Sequence, residues 1–433
     1  MTVMARQECA PADARLAAPS RRAFHQDMGQ LDGVDDRIVS MDIACHDVHE
    51  GDGRWRNPVG RVQQMPSPSM PSPIDYDGAW IGGIVPALLG DRSVDWLPGP
   101  VLGAGSVVLL VLDGLGWGSA RTHRARMPTL SGMTGHVISA AVPSTTATGL
   151  TSITTGLPAA QHGITGYSMR VGGQVMSTLG WRMVGGASAP APEAVQPHKA
   201  FSGHRIPVVT KADFRRTSFS RAHLGSGPFL GWQTPAVLVQ HVRHLISDGA
   251  DLVYAYYDGV DKVAHAHGLD NDFYLSELAE VDRLVGQLLK ALPQRTALLV
   301  TADHGQVEVP DEGKVTLEVV ARMVSAYAGE ARVRGLFARA GASGDLLRAC
   351  QEAYGHLAWV IARDELFDGG WFGPGSSPTV RSRCGDVVLI AREPVAFLAP
   401  NFPMEAELRS MHGSLSPAEM QVPLLAARGT AVR

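Results

Sequence analysis

Three mainly apolar runs, each followed by glycine or polar residues, stand out along the chain at residues 106–112, 251–256 and 296–301. A run of this length without polar alternation is typical of a strand buried on both faces of a parallel sheet. Residues 235–247 and 273–292 instead repeat apolar side chains at the spacing of an amphipathic helix. Strands that alternate with helices in this order predict an α/β fold whose mainly parallel sheet is sandwiched by helices.

The pattern divides the chain into three parts. Residues 1–73 lack apolar periodicity and end in a stretch rich in Met, Pro and Ser, which predicts a disordered leader. Residues 74–306 and 401–433 are expected to form the α/β domain. Residues 307–400 interrupt it and are interpreted as an inserted cap lobe, in which predicted helices alternate with predicted short strands: helices at 317–328 and 343–353, strands at 356–361 and 386–391.

A dense cluster of hydroxyl side chains follows the short strand predicted at residues 137–141. Residues 142–156 contain six threonines and two serines, and Pro143 precedes them. Such a composition indicates a strand-to-helix turn, with Thr145 or Thr146 at the amino end of a short helix. Backbone amides and the helix dipole attract anions such as phosphate to that position. A plain threonine-rich helix cap is the alternative interpretation.

Polar side chains also follow the predicted strands. In an open α/β sheet the carboxyl ends of the strands line the ligand crevice, so these side chains are expected to converge. Three aspartates and three histidines, together with a threonine hydroxyl, make a plausible ligand set for two divalent cations. The residues are Asp113, Asp261, His265, Asp303, His304 and His412. Each taken singly could be an ordinary turn, cap or surface residue, but their recurrence at strand ends favours a metal site.

Composition narrows the choice of partners and compartment. A formal net charge of −4 provides no strong basic field, so we do not expect binding to a nucleic-acid polymer. No apolar run approaches the length of a membrane span, and none near the start is typical of a signal peptide. The four cysteines are widely spaced and are expected to be free thiols in a reducing compartment, which predicts a cytoplasmic location. They are Cys9, Cys45, Cys350 and Cys384.

Taken together, the motifs resemble the alkaline phosphatase superfamily and, within it, the type I phosphodiesterase/nucleotide pyrophosphatase family. They occur in the family's order between about residues 107 and 427, and the set is specific as a whole although no single motif is. The residues that carry the resemblance are Val111-Leu112-Asp113-Gly114, Pro143-Ser144-Thr145-Thr146, Thr155-Gly156-Leu157-Pro158, His162-Gly163, Asp261-Lys262-Val263-Ala264-His265, Thr301-Ala302-Asp303-His304-Gly305, Met411-His412-Gly413-Ser414 and Val422-Pro423-Leu424-Leu425.

The resemblance implies an alkaline-phosphatase-like fold, a small phosphorylated substrate and two divalent cations, with zinc the expected metal. Thr146 aligns with the family's nucleophile, which would form a covalent phospho-threonine intermediate; direct attack by water is the competing mechanism. The implied ligands of one metal are Asp261, His265 and His412. Those of the second are Asp113, Thr146, Asp303 and His304.

The sequence departs from the family at the position that helps to hold a phosphoryl oxygen. Nucleotide pyrophosphatases have an Asn some way after the nucleophile, whereas no Asn follows Thr146 before the irregular region that begins at Gly156, and Gly149 stands three residues on. Gly149, through a backbone amide, and Lys262 are candidate substrate-binding residues, although a solvated helix lysine is the simpler interpretation of Lys262. Four further residues are alternatives: Asp258 could replace Asp261, His267 could replace His265, and Tyr167 and Tyr257 could stack on a base or leaving group.

Three other functions share parts of this pattern. A sulfatase is disfavoured, since the near-match to a formylglycine motif at Cys9 lacks the required Arg and lies in the leader. A phosphomonoesterase or a phosphonate hydrolase would use the same dinuclear scaffold. A catalytically inactive anion-binding relative is the alternative that is not an enzyme. The sequence favours a metal-dependent hydrolase of phosphodiester or pyrophosphate bonds with Thr146 as nucleophile.

Overall fold

The structure is a computed structural model that describes residues 69–431. Most of the predicted leader, together with Cys9 and Cys45, lies outside the described residues. Up to residue 306 the strands are β1 (Ser106–Leu112), β2 (Thr134–Ser139), β3 (Ser168–Val171), β4 (Gln174–Ser177), β5 (Arg182–Met183), β6 (Val208–Lys211), β7 (Phe229–Trp232), β8 (Leu252–Tyr257) and β9 (Thr296–Thr301). The helices are α1 (Ile84–Leu89), α2 (Trp117–Thr122), α3 (Pro128–Ser131), α4 (Thr146–Thr155), α5 (Ala159–His162), α6 (Pro192–Val195), α7 (Ser218–His223), α8 (Pro235–Ser247), α9 (Gly259–His267) and α10 (Asp272–Ala291).

The remaining elements continue in chain order to residue 431. The strands are β10 (Val307–Glu308), β11 (Lys314–Thr316), β12 (Val324–Glu330), β13 (Val333–Ala338), β14 (Ala358–Ala362), β15 (Val387–Ala391), β16 (Ala396–Leu398), β17 (Ser410–Met411) and β18 (Gln421–Arg428). The helices are α11 (Ser343–Tyr354), α12 (Arg363–Asp368), α13 (Pro378–Arg381) and α14 (Pro417–Met420).

A seven-stranded sheet with the order β2-β18-β9-β1-β8-β6-β7 forms the centre of the fold. The strands β9, β1, β8, β6 and β7 are paired in parallel, and β18 is antiparallel to both of its neighbours. All residues of β8 and β9 and nearly all of β1 are buried, which is why these strands are apolar without alternation. The predicted α/β fold with a mainly parallel sheet between helices is confirmed.

The register of the sheet places the polar residues that follow neighbouring strands next to one another. Val111 pairs with Thr301, so Asp113 and Asp303, each two residues further on, end their strands side by side. Leu112 pairs with Tyr257, and the Asp113 amide donates to the Tyr257 carbonyl at 2.9 Å. After Tyr257, the last residue of β8, the chain enters α9, which carries Asp261 and His265. The carboxyl edge of three adjacent strands therefore gathers the residues that the sequence placed at separate strand ends.

The helix α4 is buried from Thr146 to Thr154 although threonine is its commonest residue. Its hydroxyls are satisfied locally: Thr151 donates to the carbonyl of Ala147 at 2.7 Å, and Thr154 donates to that of Leu150 at 3.0 Å. Buried hydroxyls without such partners would destabilise the helix. The helix ends at Gly156, whose φ of 74° lies in the left-handed region that glycine adopts without strain.

Residues 324–391 contain a second, four-stranded antiparallel sheet with the order β12-β13-β15-β14. The helix α11 packs on it and contributes Leu346 and Cys350 to an apolar cluster distinct from the main core. The helix predicted at 343–353 is confirmed, but the helix predicted at 317–328 is wrong. A 3-10 segment covers Glu318–Met323, and the chain then pairs with β13 as a strand. The extent of a separate cap lobe stays a prediction.

The structure also bears on the predicted free thiols and on membrane-spanning helices. Cys350 and Cys384 are buried free thiols, as expected for these two positions. Within residues 69–431, no helix has both the length and the apolar composition needed to span a membrane.

Candidate dinuclear metal site

The predicted ligands converge at the carboxyl edge of the main sheet. Among the described residues, two groups have side-chain nitrogen and oxygen atoms that lie within 4.8 Å of one another. One comprises Asp113, Asp303 and His304, and the other comprises Asp261, His304 and His412. His265 adjoins the second group, because its Nε2 lies 3.3 Å from Oδ1 of Asp261. His304 is common to both groups, so the exact division of ligands between two ions stays a prediction.

Thr146 is the threonine that faces these groups. It is the first residue of α4, and its Oγ1 lies 3.0 Å from Nε2 of His304. Nδ1 of His304 donates to the Gly305 carbonyl at 3.0 Å, which leaves Nε2 unprotonated in the neutral ring, so the Thr146 hydroxyl is the donor. The side chain of Thr145, the preceding residue, instead adjoins the carboxyl group of Glu330. The structure thus distinguishes two threonines between which residue type alone could not choose.

All three histidines of the site use Nδ1 to donate to a backbone carbonyl. Nδ1 of His265 donates to the Ser410 carbonyl at 2.6 Å, and Nδ1 of His412 donates to the Ser144 carbonyl at 3.0 Å, as Nδ1 of His304 does to Gly305. Each ring therefore presents the lone pair of Nε2 to the carboxylates. A backbone carbonyl that fixes the tautomer of a histidine in this way is a usual feature of metal-binding imidazoles.

The carboxylates also fit a cation. Asp113 is 2% exposed and Asp303 is fully buried, and Oδ1 of Asp113 and Oδ2 of Asp303 have no hydrogen-bond partner within the described residues. Nε2 of His304 lies 3.3 Å from Oδ1 of Asp113, so an imidazole lone pair and a carboxylate oxygen face each other. Acceptors that face each other in a buried site repel unless a cation lies between them.

The pKa shifts that the protein alone causes also indicate that this site requires a cation. Burial, together with the neighbouring Asp303 and Asp261, raises the pKa of Asp113 well above its usual value. Burial also raises the pKa of Asp303, and burial and the two other histidines lower the pKa of His412 well below its usual value. Charged carboxylates are therefore disfavoured here without a counter-ion. A divalent cation would stabilise the ionised form of the same groups.

Three residues that the sequence did not single out hold the ligands in place. The Tyr256 hydroxyl donates to Oδ2 of Asp113. Nε2 of Gln306 donates to Oδ1 of Asp261 at 2.9 Å, and the Ser410 hydroxyl donates to Oε1 of Gln306 at 2.6 Å. Gln306 stands two residues after His304, and Tyr256 is the last residue but one of a strand that leads to the site. Proximity to the motifs was therefore a usable signal for both.

The two candidate substrate-binding residues have different surroundings. Lys262 is 55% exposed in its side chain and forms an ion pair with Asp258, with Nζ 2.5 Å from Oδ2. Gly149 lies against Asp303, since a Cβ at Gly149 would be 2.9 Å from the Cβ of Asp303. Its amide is used within α4, where it donates to the Thr145 carbonyl at 2.8 Å. Substrate contacts of these residues stay predictions.

The alternative residues considered from the sequence have other contacts. Asp258 is held by Lys262 and by Lys211, whose Nζ lies 3.1 Å from Oδ2. His267 stacks on Phe273 with the ring centroids 4.1 Å apart. Tyr257 stacks on Trp232 at 5.6 Å, and Tyr167 packs edge-on against Phe402 at 6.1 Å. None of the four belongs to the two candidate ligand groups, whereas Asp261 belongs to one of them and Nε2 of His265 lies 3.3 Å from Oδ1 of Asp261.

The fold is similar to those of several solved structures. Murine ectonucleotide pyrophosphatase/phosphodiesterase 5 is 18% identical, with a TM-score of 0.57 over 74% of this chain and 87% of that one. An inactive variant of the murine protein in complex with AMP gives a TM-score of 0.58. Phosphonoacetate hydrolase from Sinorhizobium meliloti 1021, in complex with phosphonoformate, is 19% identical, with a TM-score of 0.55 over 75% of this chain and 91% of that one. At these identities the likeness establishes the fold.

Comparisons of sequence add the family. A short match links the chain to the catalytic subunit of murine GPI ethanolamine phosphate transferase 3, which is 29% identical over 77 residues. That match spans 18% of this chain and only 7% of the murine protein. The family model of type I phosphodiesterase/nucleotide pyrophosphatase matches residues 107–415, which include the predicted nucleophile and every predicted metal ligand. The chain belongs to the type I phosphodiesterase/nucleotide pyrophosphatase family.

Proposed function

We propose that the protein is a metal-dependent hydrolase that cleaves phosphodiester or pyrophosphate bonds in a small phosphorylated substrate, with Thr146 as the nucleophile. The observation that carries the proposal is the position of the Thr146 hydroxyl, 3.0 Å from Nε2 of His304 and at the amino end of α4. Support comes from the murine neighbour in complex with AMP, whose inactive form has alanine in place of a threonine.

The proposed ligands of the first cation are Asp261, His265 and His412, and those of the second are Asp113, Thr146, Asp303 and His304. We propose zinc for both, because zinc accepts mixed imidazole and carboxylate ligands. Two bound cations would lower the pKa of the Thr146 hydroxyl and stabilise negative charge on the leaving oxygen.

The reaction proceeds in two displacements. Thr146 Oγ1 attacks phosphorus, the bond from phosphorus to the leaving oxygen breaks, and a phospho-threonine forms. Water then attacks the same phosphorus and releases Thr146. Without a cation, the Thr146 hydroxyl donates to Nε2 of His304, whose ring is fixed by the Gly305 carbonyl. With the cation bound, both of these atoms would be its ligands, so the same proximity would hold Thr146 Oγ1 beside the metal. Amides at the start of α4 have no partners within the helix and face the developing negative charge.

A phosphonate hydrolase is the second candidate, favoured by the similar fold of phosphonoacetate hydrolase. A phosphomonoesterase would use the same ligands. The candidate that is not an enzyme is an anion-binding relative without turnover. We further propose that Gly149 and Lys262 contact the substrate and that the protein is located in the cytoplasm. We do not expect it to bind a nucleic-acid polymer.

Hydrolysis of two model esters tests the proposal. Zinc-loaded protein is assayed with bis-p-nitrophenyl phosphate and with p-nitrophenyl phosphate, each with and without a chelator. We expect turnover of the diester that the chelator abolishes and added zinc restores. Preference for the monoester would favour the phosphomonoesterase, and turnover of neither would exclude the hydrolase.

A pair of variants tests the nucleophile. Thr146→Ala should abolish turnover and the covalent phosphoryl adduct detected by mass spectrometry after acid quench. Thr145→Ala is the matched control, because Thr145 is adjacent in the chain and its side chain adjoins Glu330 instead. Full activity of Thr146→Ala would favour direct attack by water.

A further inference from the structure

A cavity of about 140 Å³ opens beside Thr146, between α4 and the short helix α7. Its walls are mainly apolar and aromatic and include Leu150, Phe214, Phe219 and Tyr254. Leu150 lies one turn after Thr146 on the same helix, so the cavity lies on the side of the nucleophile. The predicted metal ligands other than Thr146 do not line it.

The position of the cavity decides which part of a substrate it can hold. In an in-line displacement the leaving group departs on the side of phosphorus opposite to the attacking oxygen. A cavity on the side of Thr146 is therefore placed for a substituent that stays on phosphorus. A phosphate monoester has no organic substituent of that kind, whereas a diester or a phosphonate ester does.

The size of the cavity limits this substituent. Engineered apolar cavities of about 150 Å³ bind a single benzene ring. A cavity of about 140 Å³ is therefore suited to one ring or a short chain. A nucleoside, which combines a base with a ribose, is larger than that.

One polar group on the wall is free to recognise a ligand. His223 is 4% exposed, and its Nδ1 donates to the Phe219 carbonyl at 2.7 Å. Nε2 is left as a hydrogen-bond acceptor, for which the described residues supply no donor. Burial lowers the pKa of His223 to about 4, so the ring is neutral at neutral pH.

Tyr254, which also lines the cavity, has a polar group without a hydrogen-bond partner among the described residues. It is 1% exposed, and its hydroxyl has no hydrogen-bond partner within the described residues. Buried polar groups of this kind are normally satisfied, so two of them around one cavity indicate a ligand or water that completes them.

We propose that this cavity binds the substituent that remains on phosphorus, that the substituent is a single ring or short chain, and that His223 selects substituents that carry a hydroxyl or amine donor. The inference rests on the proposed function, and it names a substrate class: compact phosphodiesters or phosphonate esters rather than nucleotides.

A kinetic series with one leaving group tests the proposal. The esters all release p-nitrophenolate and differ in the retained group, which is phenyl, 3-hydroxyphenyl, 4-hydroxyphenyl, 1-naphthyl or thymidine-5′-yl. We expect kcat/KM to be highest for the hydroxyphenyl esters, by about fivefold over phenyl, as for one added hydrogen bond. In His223→Phe, which keeps a flat ring but no acceptor, the ratio should fall to about one. In His223→Gln, which retains an acceptor, the preference should return.

The outcomes are separable. Faster turnover of the thymidine ester than of the phenyl ester, or a hydroxyl preference that persists in His223→Phe, would overturn the inference while leaving the hydrolase intact. Phe214→Ala, which enlarges the cavity, should raise the kcat/KM of the naphthyl ester relative to the phenyl ester; an unchanged ratio would also count against the inference.

Binding to metal-free protein provides a readout that does not depend on turnover. The dissociation constant of 4-fluorophenol is measured by fluorine NMR for the wild type, His223→Phe and His223→Gln. We expect binding that weakens about fivefold in His223→Phe and recovers in His223→Gln. No binding, or equal binding to all three, would overturn the assignment of the cavity. Binding with this pattern, but without hydrolysis of any ester, would mean that the proposed function had failed.

Discussion

Gly149 of α4 lies in direct contact with Asp303 at the end of β9: a Cβ at position 149 would be 2.9 Å from the Cβ of Asp303 and 3.0 Å from its carbonyl oxygen. The absence of a side chain at Gly149 thus sets how closely the helix that carries Thr146 approaches a predicted metal ligand. Gly149, three residues after the predicted nucleophile, therefore has a packing role in the structure.

Gly149→Ala should displace Asp303 or push α4 away from it. Insertion of one methyl group into such a contact costs about 1–3 kcal/mol of unfolding free energy. We expect lower stability in chemical denaturation and fewer than two zinc equivalents after dialysis. Gly118→Ala is the control, because a Cβ at Gly118 has no atom within 4 Å. Equal zinc content and equal stability in the two variants would show that the structure accommodates the added methyl group beside Asp303 without loss.

Tyr256→Phe should weaken metal binding without unfolding the protein. The change removes the hydroxyl that donates to Oδ2 of Asp113 and leaves the ring in place. Loss of a residue that supports a ligand typically reduces metal affinity by about 10- to 100-fold. Competition with a chromogenic chelator measures the effect. Tyr257→Phe, whose hydroxyl lies 2.8 Å from Oε1 of Glu277, is the matched control on the same strand.

Removal of metal should lower the thermal stability. The unpartnered oxygens of Asp113 and Asp303 leave buried negative charge that a cation would balance. A ligand at a hundredfold excess over its Kd adds about 2.7 kcal/mol, so we expect a chelator to lower Tm and zinc to restore it. Asp303→Asn should reduce this response. Asp248→Asn, at an exposed residue near the amino end of β8, should not. A Tm that is indifferent to zinc in the wild type would contradict the metal site.

Glu419→Gln should destabilise the segment that carries His412. Glu419 is fully buried and accepts from Nε of Arg332 at 2.7 Å, from the Ser414 amide at 2.9 Å and from the Ser416 hydroxyl at 2.6 Å. Removal of one partner of a buried ion pair costs about 3–5 kcal/mol, because the other charge stays buried and unpaired. Denaturant unfolding measures this loss.

Asp345→Asn is the control for the ion pair. Asp345 and Arg348 form an exposed pair on α11, and exposed pairs contribute little because water screens them. A similar effect of both substitutions would show that burial is not what makes the Arg332–Glu419 pair important.

The local pattern of apolar residues was sufficient to predict much of the fold. β1, β9 and α8 occupy the predicted residues 106–112, 296–301 and 235–247. These elements have either continuous burial or a clear helical period, and each such pattern is a property of its own segment. The helix predicted at residues 317–328 is wrong for the opposite reason, because the structure of this segment depends on pairing with another one. Their apolar spacing suits a helix, but pairing of β12 with β13 takes residues from Val324 onward into a sheet.

The same distinction holds for the site. Six predicted metal ligands could be selected from sequence, since each stands beside a recognisable strand or turn: Asp113, Asp261, His265, Asp303, His304 and His412. The choice of Thr146 over Thr145 came from alignment with the family motif. Tyr256, Gln306 and His223 could not be assigned roles, because a role depends on which atoms lie within about 3 Å after folding.

The sequence by itself determined the class of fold, the polar strand ends and the family motifs, because these follow from residue type and local spacing. Only the tertiary structure decided that Thr146 rather than Thr145 faces His304, that Gly149 contacts Asp303, and that a small cavity with His223 on its wall lies beside the nucleophile. The physical reason is that orientation, close packing and enclosed volume arise between segments distant in the chain, through sheet register and helix packing that local composition does not encode.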